Sequence, residues 1–183
     1  MKIILATPLY PPEISKTASY VKELAKVLSS KHEIVVLTYG FMPEKVGGVR
    51  IYTVNKNNPL LIRLFLYFLA LWQISKGADV IYAQNGASVE LPIAVISILR
   101  RVSVVLSFSD SEAHLRASQS RIMRFIENFA IKKSVSVVKD VPMRKPIISP
   151  FKPKDKNEWH QYKTSWAEHV NYLEKIFKNG RKI

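Results

Sequence analysis

The chain has 183 residues, enough to bury one core with an appendage, and 48% of them are hydrophobic, which excludes disorder throughout. Cysteine is absent, which excludes a disulfide framework, a thiol nucleophile and a zinc ribbon. Lysine and arginine outnumber aspartate and glutamate 28 to 14, and the net charge of +14 suits anionic membrane lipid, nucleic acid or phosphorylated ligands, or simply a lysine-rich soluble surface.

Met1-Lys2 runs directly into a short apolar strand, Ile3 to Thr7, without the extended apolar region and cleavage site of a signal peptide. The expected location is therefore the cytoplasm, with the inner face of the membrane as a peripheral site. The strand has the apolar composition of a parallel strand buried on both faces. The loop from Pro8 to Lys16 contains Pro8, Pro11 and Pro12 and is stiff. Ala18, Val21, Leu24, Ala25 and Leu28 recur at helical spacing and predict an amphipathic helix running to about Ser30. Glu33 to Thr38 is a second strand, residues 40–48 are a loop with the Gly47-Gly48 pair, and Arg50 to Val54 is a third strand.

Pro59 to Ser75 (PLLIRLFLYFLALWQIS) is the most hydrophobic stretch, with Pro59 at a first helical turn and Gly77 just past the end. Arg63 interrupts it, and it falls short of the roughly 20 apolar residues that span a bilayer. A helix apolar nearly all round is expected between the sheet and its neighbours. The alternative is a helix at a membrane interface, which Arg63, Tyr67 and Trp72 would suit.

Asp79 to Ala83 is the fourth strand, followed by the turn Gln84-Asn85-Gly86 and a helix from about Ser88 to Arg100 with Pro92 near its first turn. Val102 to Ser107 is the fifth strand, His114 to Lys132 a helix, and Ser134 to Val138 the sixth strand. This alternation predicts an α/β fold, a doubly wound, Rossmann-like parallel sheet over residues 1–140. Pro142, Pro146, Pro150 and Pro153 then mark an extended, basic linker, residues 141–163. A terminal helix, Thr164 to Asn179 within the final segment 164–183, is expected to pack back on the body. Ser165 to Glu168 reads as its capping box, Gly180 as its terminator, and Trp166, Val170, Leu173 and Phe177 as its buried stripe.

In an open parallel sheet, ligands bind beyond the carboxyl ends of the strands where the strand order reverses. Three loops should meet there, and they supply Tyr10, Glu13, Ser15, Lys16, Gln84, Asn85, Ser88, Glu90, Ser107, Ser109, Asp110 and Glu112. So many hydrogen-bonding groups suit a hydroxyl-rich ligand such as a sugar. Neither a G-x-G-x-x-G nor a P-loop occurs, which disfavours ordinary dinucleotide or nucleoside triphosphate binding. Asp110 and Glu112 are candidate catalytic carboxylates, although a helix-capping role for Asp110 or Ser111 explains their position equally well. His32, His114, His160 and His169 are scattered without ligand spacing, so no metal site is expected.

The opening MKIILATPLYPPEISKTASYVKELAKVLSSKHEIVVLTYG resembles the start of retaining glycosyltransferases of family 4, which have the GT-B fold. The likeness continues through GGVRIYTV, ADVIYAQNGASVELPIAVISILRR and VVLSFSD, over roughly residues 1 to 138. Ser165, Trp166, Leu173, Glu174 and Phe177 resemble the closing helix that in this fold crosses back onto the first domain. The resemblance implies a single GT-B half, the amino-terminal acceptor domain, without the donor domain that would hold a nucleotide sugar. It implies catalytic roles for Ser109 and Asp110, and acceptor binding by Tyr10, Glu13, Ser15, Lys16, Gln84, Asn85 and Glu112. Where many relatives have Gly-Gly in the first loop, this chain has Ser15 and Lys16; where they have His-x-His-Asp after the fourth strand, it has Tyr82-Ala83-Gln84-Asn85. The implied activity is sugar transfer to a sugar or lipid-linked acceptor, only with a donor domain supplied in trans, and the expected partner is a donor-domain subunit or, otherwise, further copies of this chain as a homo-oligomer. The nucleotide sugar would sit on that partner, and this chain alone would bind no cofactor. The alternative is a non-catalytic binding or regulatory remnant at a membrane surface. A nucleic-acid binder using the basic linker is disfavoured, because no recognition helix is evident.

Overall fold

The computed structural model describes residues 1–108, 115, 118–139, 146 and 154–180. Six strands form one all-parallel sheet: β1 (Lys2–Ala6), β2 (Glu33–Tyr39), β3 (Val49–Val54), β4 (Val80–Gln84), β5 (Ser103–Phe108) and β6 (Ser136–Lys139). Their spatial order is β3-β2-β1-β4-β5-β6, so the direction of winding reverses between β1 and β4. The chain is a Rossmann-like α/β domain. Register is fixed by the alternation of side chains on β1: Ile3 lies beside Ile34 and Val80, Ile4 beside Val35 and Ile81.

The two faces bury two separate cores. Ile4, Ala6, Val35, Leu37, Ile81 and Leu106 face α2 (Leu60–Ile74), α3 (Ala87–Arg100) and α4 (Arg121–Lys133). Ile3, Leu5, Val36, Val80 and Tyr82 face α1 (Lys16–Leu28) and α5 (Lys156–Gly180). On α1 the stripe Ala18, Val21, Leu24, Ala25 and Leu28 is buried, as its spacing predicts.

α2 departs from expectation. Only Tyr67, Leu71 and Ile74 are buried, while Leu61, Ile62, Phe65, Leu66 and Leu69 lie on the surface. Burial nearly all round would need protein on both sides, and among the described residues no element covers the outer face of α2.

α5 carries the expected stripe, with Trp166, Val170, Leu173 and Phe177 all buried against α1 and β4. Its start differs. The helix begins at Lys156, inside the segment read as linker, and the true capping box is Asp155 with Glu158. Asp155 Oδ1 accepts from the Glu158 amide at 2.8 Å, and Glu158 Oε2 accepts from the Lys154 amide at 2.7 Å. Ser165 is helix interior and donates back to the Tyr162 carbonyl at 2.9 Å. Gly180 is the last residue of α5 and does not take the left-handed conformation of a helix terminator; its carbonyl accepts from Ser103 Oγ at 2.7 Å. Tyr162 donates to Glu23 at 2.7 Å, and His32 meets Glu174 at 3.1 Å, so polar contacts also hold α5 to the body. Among the described residues no helix is long and apolar enough to cross a membrane.

Candidate functional site

The carboxyl ends of β1 and β4 open onto a cavity of 580 Å³ at the reversal of strand order. Pro8 and Leu9 come from the loop after β1, and Asn85 to Ser88 from the turn after β4. Leu60, Arg63 and Leu64 enter from the first turns of α2, and Ile122, Met123 and Ile126 from α4. The lining is mostly apolar, with Arg63 as its cation and Asn85, Ser88 and Glu90 as its other polar members. Gly86 makes the tight turn out of β4: its φ of +147° is a glycine conformation, and a Cβ there would touch Pro8 at 3.6 Å.

Arg63 is held in place at several points. Its guanidinium lies over the Tyr39 ring, 5.4 Å from the centroid, and Nη1 donates to the Lys56 carbonyl at 3.2 Å. Its Nε is buried without a hydrogen-bond partner, and among the described residues no carboxylate forms an ion pair with it. Tyr39 in turn stacks on Tyr67 at 4.7 Å and donates to the Ser88 carbonyl at 2.9 Å. That carbonyl is available because Pro92, four residues on in α3, has no N–H to give it. Burial pushes the Tyr39 hydroxyl up to about 12, against the opposing effects of its bond to Ser88 and the nearby Arg63 charge.

A second, smaller cavity of 170 Å³ lies beside the first, at the ends of β2 and β3. Tyr10, Glu13, Tyr39, Thr53 and Lys56 line it, and Lys56 pairs with Glu13 at 2.6 Å. The Tyr10 hydroxyl is buried with no hydrogen-bond partner among the described residues. Burial, then the charges of Glu44 and Glu23, push it up to about 12.

No family model matches the sequence, and no curated protein matches it either. Solved structures do match. The C-terminal domain of the coenzyme A biosynthesis bifunctional protein CoaBC superposes with a TM-score of 0.52 at 10% identity, covering 97% of this chain and 96% of that one. Anabaena HepE, solved in complex with UDP, gives a TM-score of 0.51 at 16% identity, covering 93% of this chain but 41% of HepE. The chain thus spans less than half of HepE. What these proteins share with it is the Rossmann-like fold.

The structure separates the residues expected to form one site. Asn85 lines the large cavity together with Ser88 and Glu90, whereas Tyr10 and Glu13 line the small one. Ser15 is the N-cap of α1, its hydroxyl accepting from the Ala18 amide at 2.9 Å, and Lys16 is the exposed first residue of that helix. Gln84 is the last residue of β4 and is buried. Thr7 Oγ1 lies 2.7 Å from the Leu9 carbonyl and 2.8 Å from the Gln84 amide. One hydroxyl proton cannot serve both. The 2.8 Å contact is to Gln84 Oε1; turning that amide over brings its otherwise unpartnered Nε2 to Thr7, which then accepts from it and donates to Leu9. Ser109, Asp110 and Glu112 lie outside the described residues. Sequence reasoning missed Arg63, Tyr39 and the α4 residues as site members. A lone cation in the most apolar stretch of the chain was the available signal for Arg63. Among the described residues no cluster of His, Cys, Asp and Glu could hold a metal ion.

Proposed function

We propose that this chain is the acceptor-binding half of a GT-B glycosyltransferase of family 4 type, which transfers sugar only when another chain supplies the donor domain. The single observation that carries the reading is the cavity at the strand-order reversal, mostly apolar, with a guanidinium that no carboxylate among the described residues pairs with. Such a lining suits a prenyl-linked acceptor: hydrocarbon against Leu60, Leu64, Met123 and Ile126, and a phosphate against Arg63. The resemblance of residues 1 to 138 to the acceptor domain, and the likeness to less than half of the UDP-bound HepE, support it. Asn85 would orient the sugar, and Ser109 and Asp110 remain the proposed catalytic pair.

The test is calorimetric titration of the purified chain with farnesyl-diphosphate-linked N-acetylglucosamine. Binding is expected, weakened about ten- to a hundredfold by Arg63→Ala, the range for loss of one charge-assisted contact. No binding, or binding indifferent to Arg63, overturns the acceptor assignment. Efficient sugar transfer by the chain alone overturns the need for a donor partner.

A second reading, a non-catalytic binding or regulatory remnant, is favoured by one observation. Ser15 and Gln84, at positions where many relatives place donor- or acceptor-contacting residues, are committed here to capping α1 and to bridging β4 to Thr7. On that reading a partner transferase reconstituted with this chain keeps its rate when Ser109, Asp110 and Lys16 are all replaced by alanine. On the first reading it loses that rate.

A further inference from the structure

The two sides of the sheet differ in what they show to solvent. On one side α1 and α5 bury their apolar stripes and mix seven lysines with Glu23, Glu158, Glu168 and Glu174. On the other side, α2, α3 and α4 expose large apolar side chains: Leu61 is 79% exposed, Phe65 59%, Ile122 74% and Phe125 69%, with Leu69 and Leu99 beside them in the same layer. The helices are neighbours, α2 beside α3 and α3 beside α4. Leu60 of α2 and Ile122 and Met123 of α4 line the same cavity, so the apolar surfaces of the outer helices meet there.

The exposed charge on the three helices of this layer has one sign. α2 has no acidic residue, α3 has only Glu90 and α4 only Glu127, and both of those are buried. Arg63, Arg100, Arg121, Arg124, Lys132 and Lys133 are its remaining charges, all positive. Arg100 lies over the Trp72 ring, 3.7 Å from the centroid, so an indole and a guanidinium sit together at the edge of the apolar surface. Aromatic and basic residues around an apolar surface are the composition of a face that rests in the headgroup region.

We infer that the outer face of α2, α3 and α4 docks onto an anionic lipid bilayer, with Leu61, Phe65, Ile122 and Phe125 entering the acyl boundary and the surrounding arginines and lysines meeting lipid phosphates. This goes beyond the acceptor reading and does not depend on it. Charge selects the occupant. A second copy of the chain on this face would set Arg63, Arg121 and Arg124 against their own counterparts with no exposed carboxylate on the three helices to compensate, whereas an anionic headgroup layer complements them.

Flotation of the purified chain with phosphatidylcholine vesicles, with and without phosphatidylglycerol, tests the inference. Binding is expected to the phosphatidylglycerol vesicles, reduced but not abolished by high salt, with a blue shift of tryptophan emission that Trp72→Phe removes. Leu61→Glu with Phe65→Glu should weaken partitioning at least about tenfold, the loss expected for two apolar side chains withdrawn from the acyl boundary. Both residues are exposed and neither lines the cavity, so the melting temperature and binding of the farnesyl-linked ligand should be unchanged. Three results would overturn the inference: no flotation with either vesicle, equal flotation of the double variant, or a dimer in sedimentation that the double variant dissolves without any flotation of the parent. Loss of prenyl-ligand binding with intact flotation would instead count against the acceptor reading alone.

Discussion

Tyr10 and Tyr39 share a cavity wall and the same elevated ionisation, yet their hydroxyls are in opposite circumstances. Tyr10 buries an oxygen with no partner among the described residues, while Tyr39 serves a carbonyl that Pro92 leaves orphaned. Tyr10→Phe should therefore be neutral or stabilising by about 1 kcal/mol, and Tyr39→Phe destabilising by about 1–2 kcal/mol. Pro92→Ala should recover much of the second loss, because it restores an N–H to the Ser88 carbonyl; a urea double-mutant cycle measures that coupling. The pH dependence follows the same groups. Both hydroxyls stand at about 12 when folded, against 10.0 ordinarily, so below pH 10 they are neutral in both states and their titration leaves stability unchanged. Above it the unfolded chain releases protons that the folded chain keeps, and stability falls until the folded groups ionise in turn. Each tyrosine should add up to about 1.4 kcal/mol per pH unit to that fall, and each Tyr→Phe change should remove its share in urea titrations at alkaline pH.

At the scale of elements, the strands were legible because each is a short apolar run ended by turn residues, and alternation with helices fixed the parallel class. Two helices were read incompletely. α2 is apolar on every face, so its pattern carries no phase, and which face would be buried depended on neighbours far along the chain. Only Tyr67, Leu71 and Ile74 are covered. In α5 the chain offers two boxes of the same spacing, Asp155 to Glu158 and Ser165 to Glu168, and local pattern does not rank them. The earlier one is used because it lets Tyr162 reach Glu23 within a continuous helix. The difference is measurable. Asp155→Ala should cost about 1 kcal/mol in urea unfolding as the loss of an N-cap, whereas Ser165→Ala should stay within about 0.5 kcal/mol. Leu173→Ala, which empties a fully buried position between α1 and the sheet, should cost about 2–5 kcal/mol.

For the whole molecule, strand order points to the β1 and β4 ends, where the large cavity opens, but the lining of that cavity comes from elsewhere as well: Arg63 and the α4 side chains reach it from elements distant in sequence. The same long-range arrangement bears on nucleotide binding. A Rossmann-like domain binds a nucleotide diphosphate by turning free amides of the β1–α1 loop and the following helix start toward it. Here Pro8, Pro11 and Pro12 have no N–H to offer. The amides of Leu9, Glu13, Ser15 and Ala18 are bonded to Thr7 Oγ1, the Tyr10 carbonyl, the Glu13 carbonyl and Ser15 Oγ. That commits four of the eight amides from Leu9 to Ala18 within the loop itself and leaves fewer to give a diphosphate. UDP titrated into the purified chain should therefore bind more weakly than about 1 mM, a standard free energy no better than about −4 kcal/mol, and should leave the melting temperature unchanged. A tighter constant that Ser15→Ala weakens would place a nucleotide at the start of α1 and overturn the proposed acceptor role.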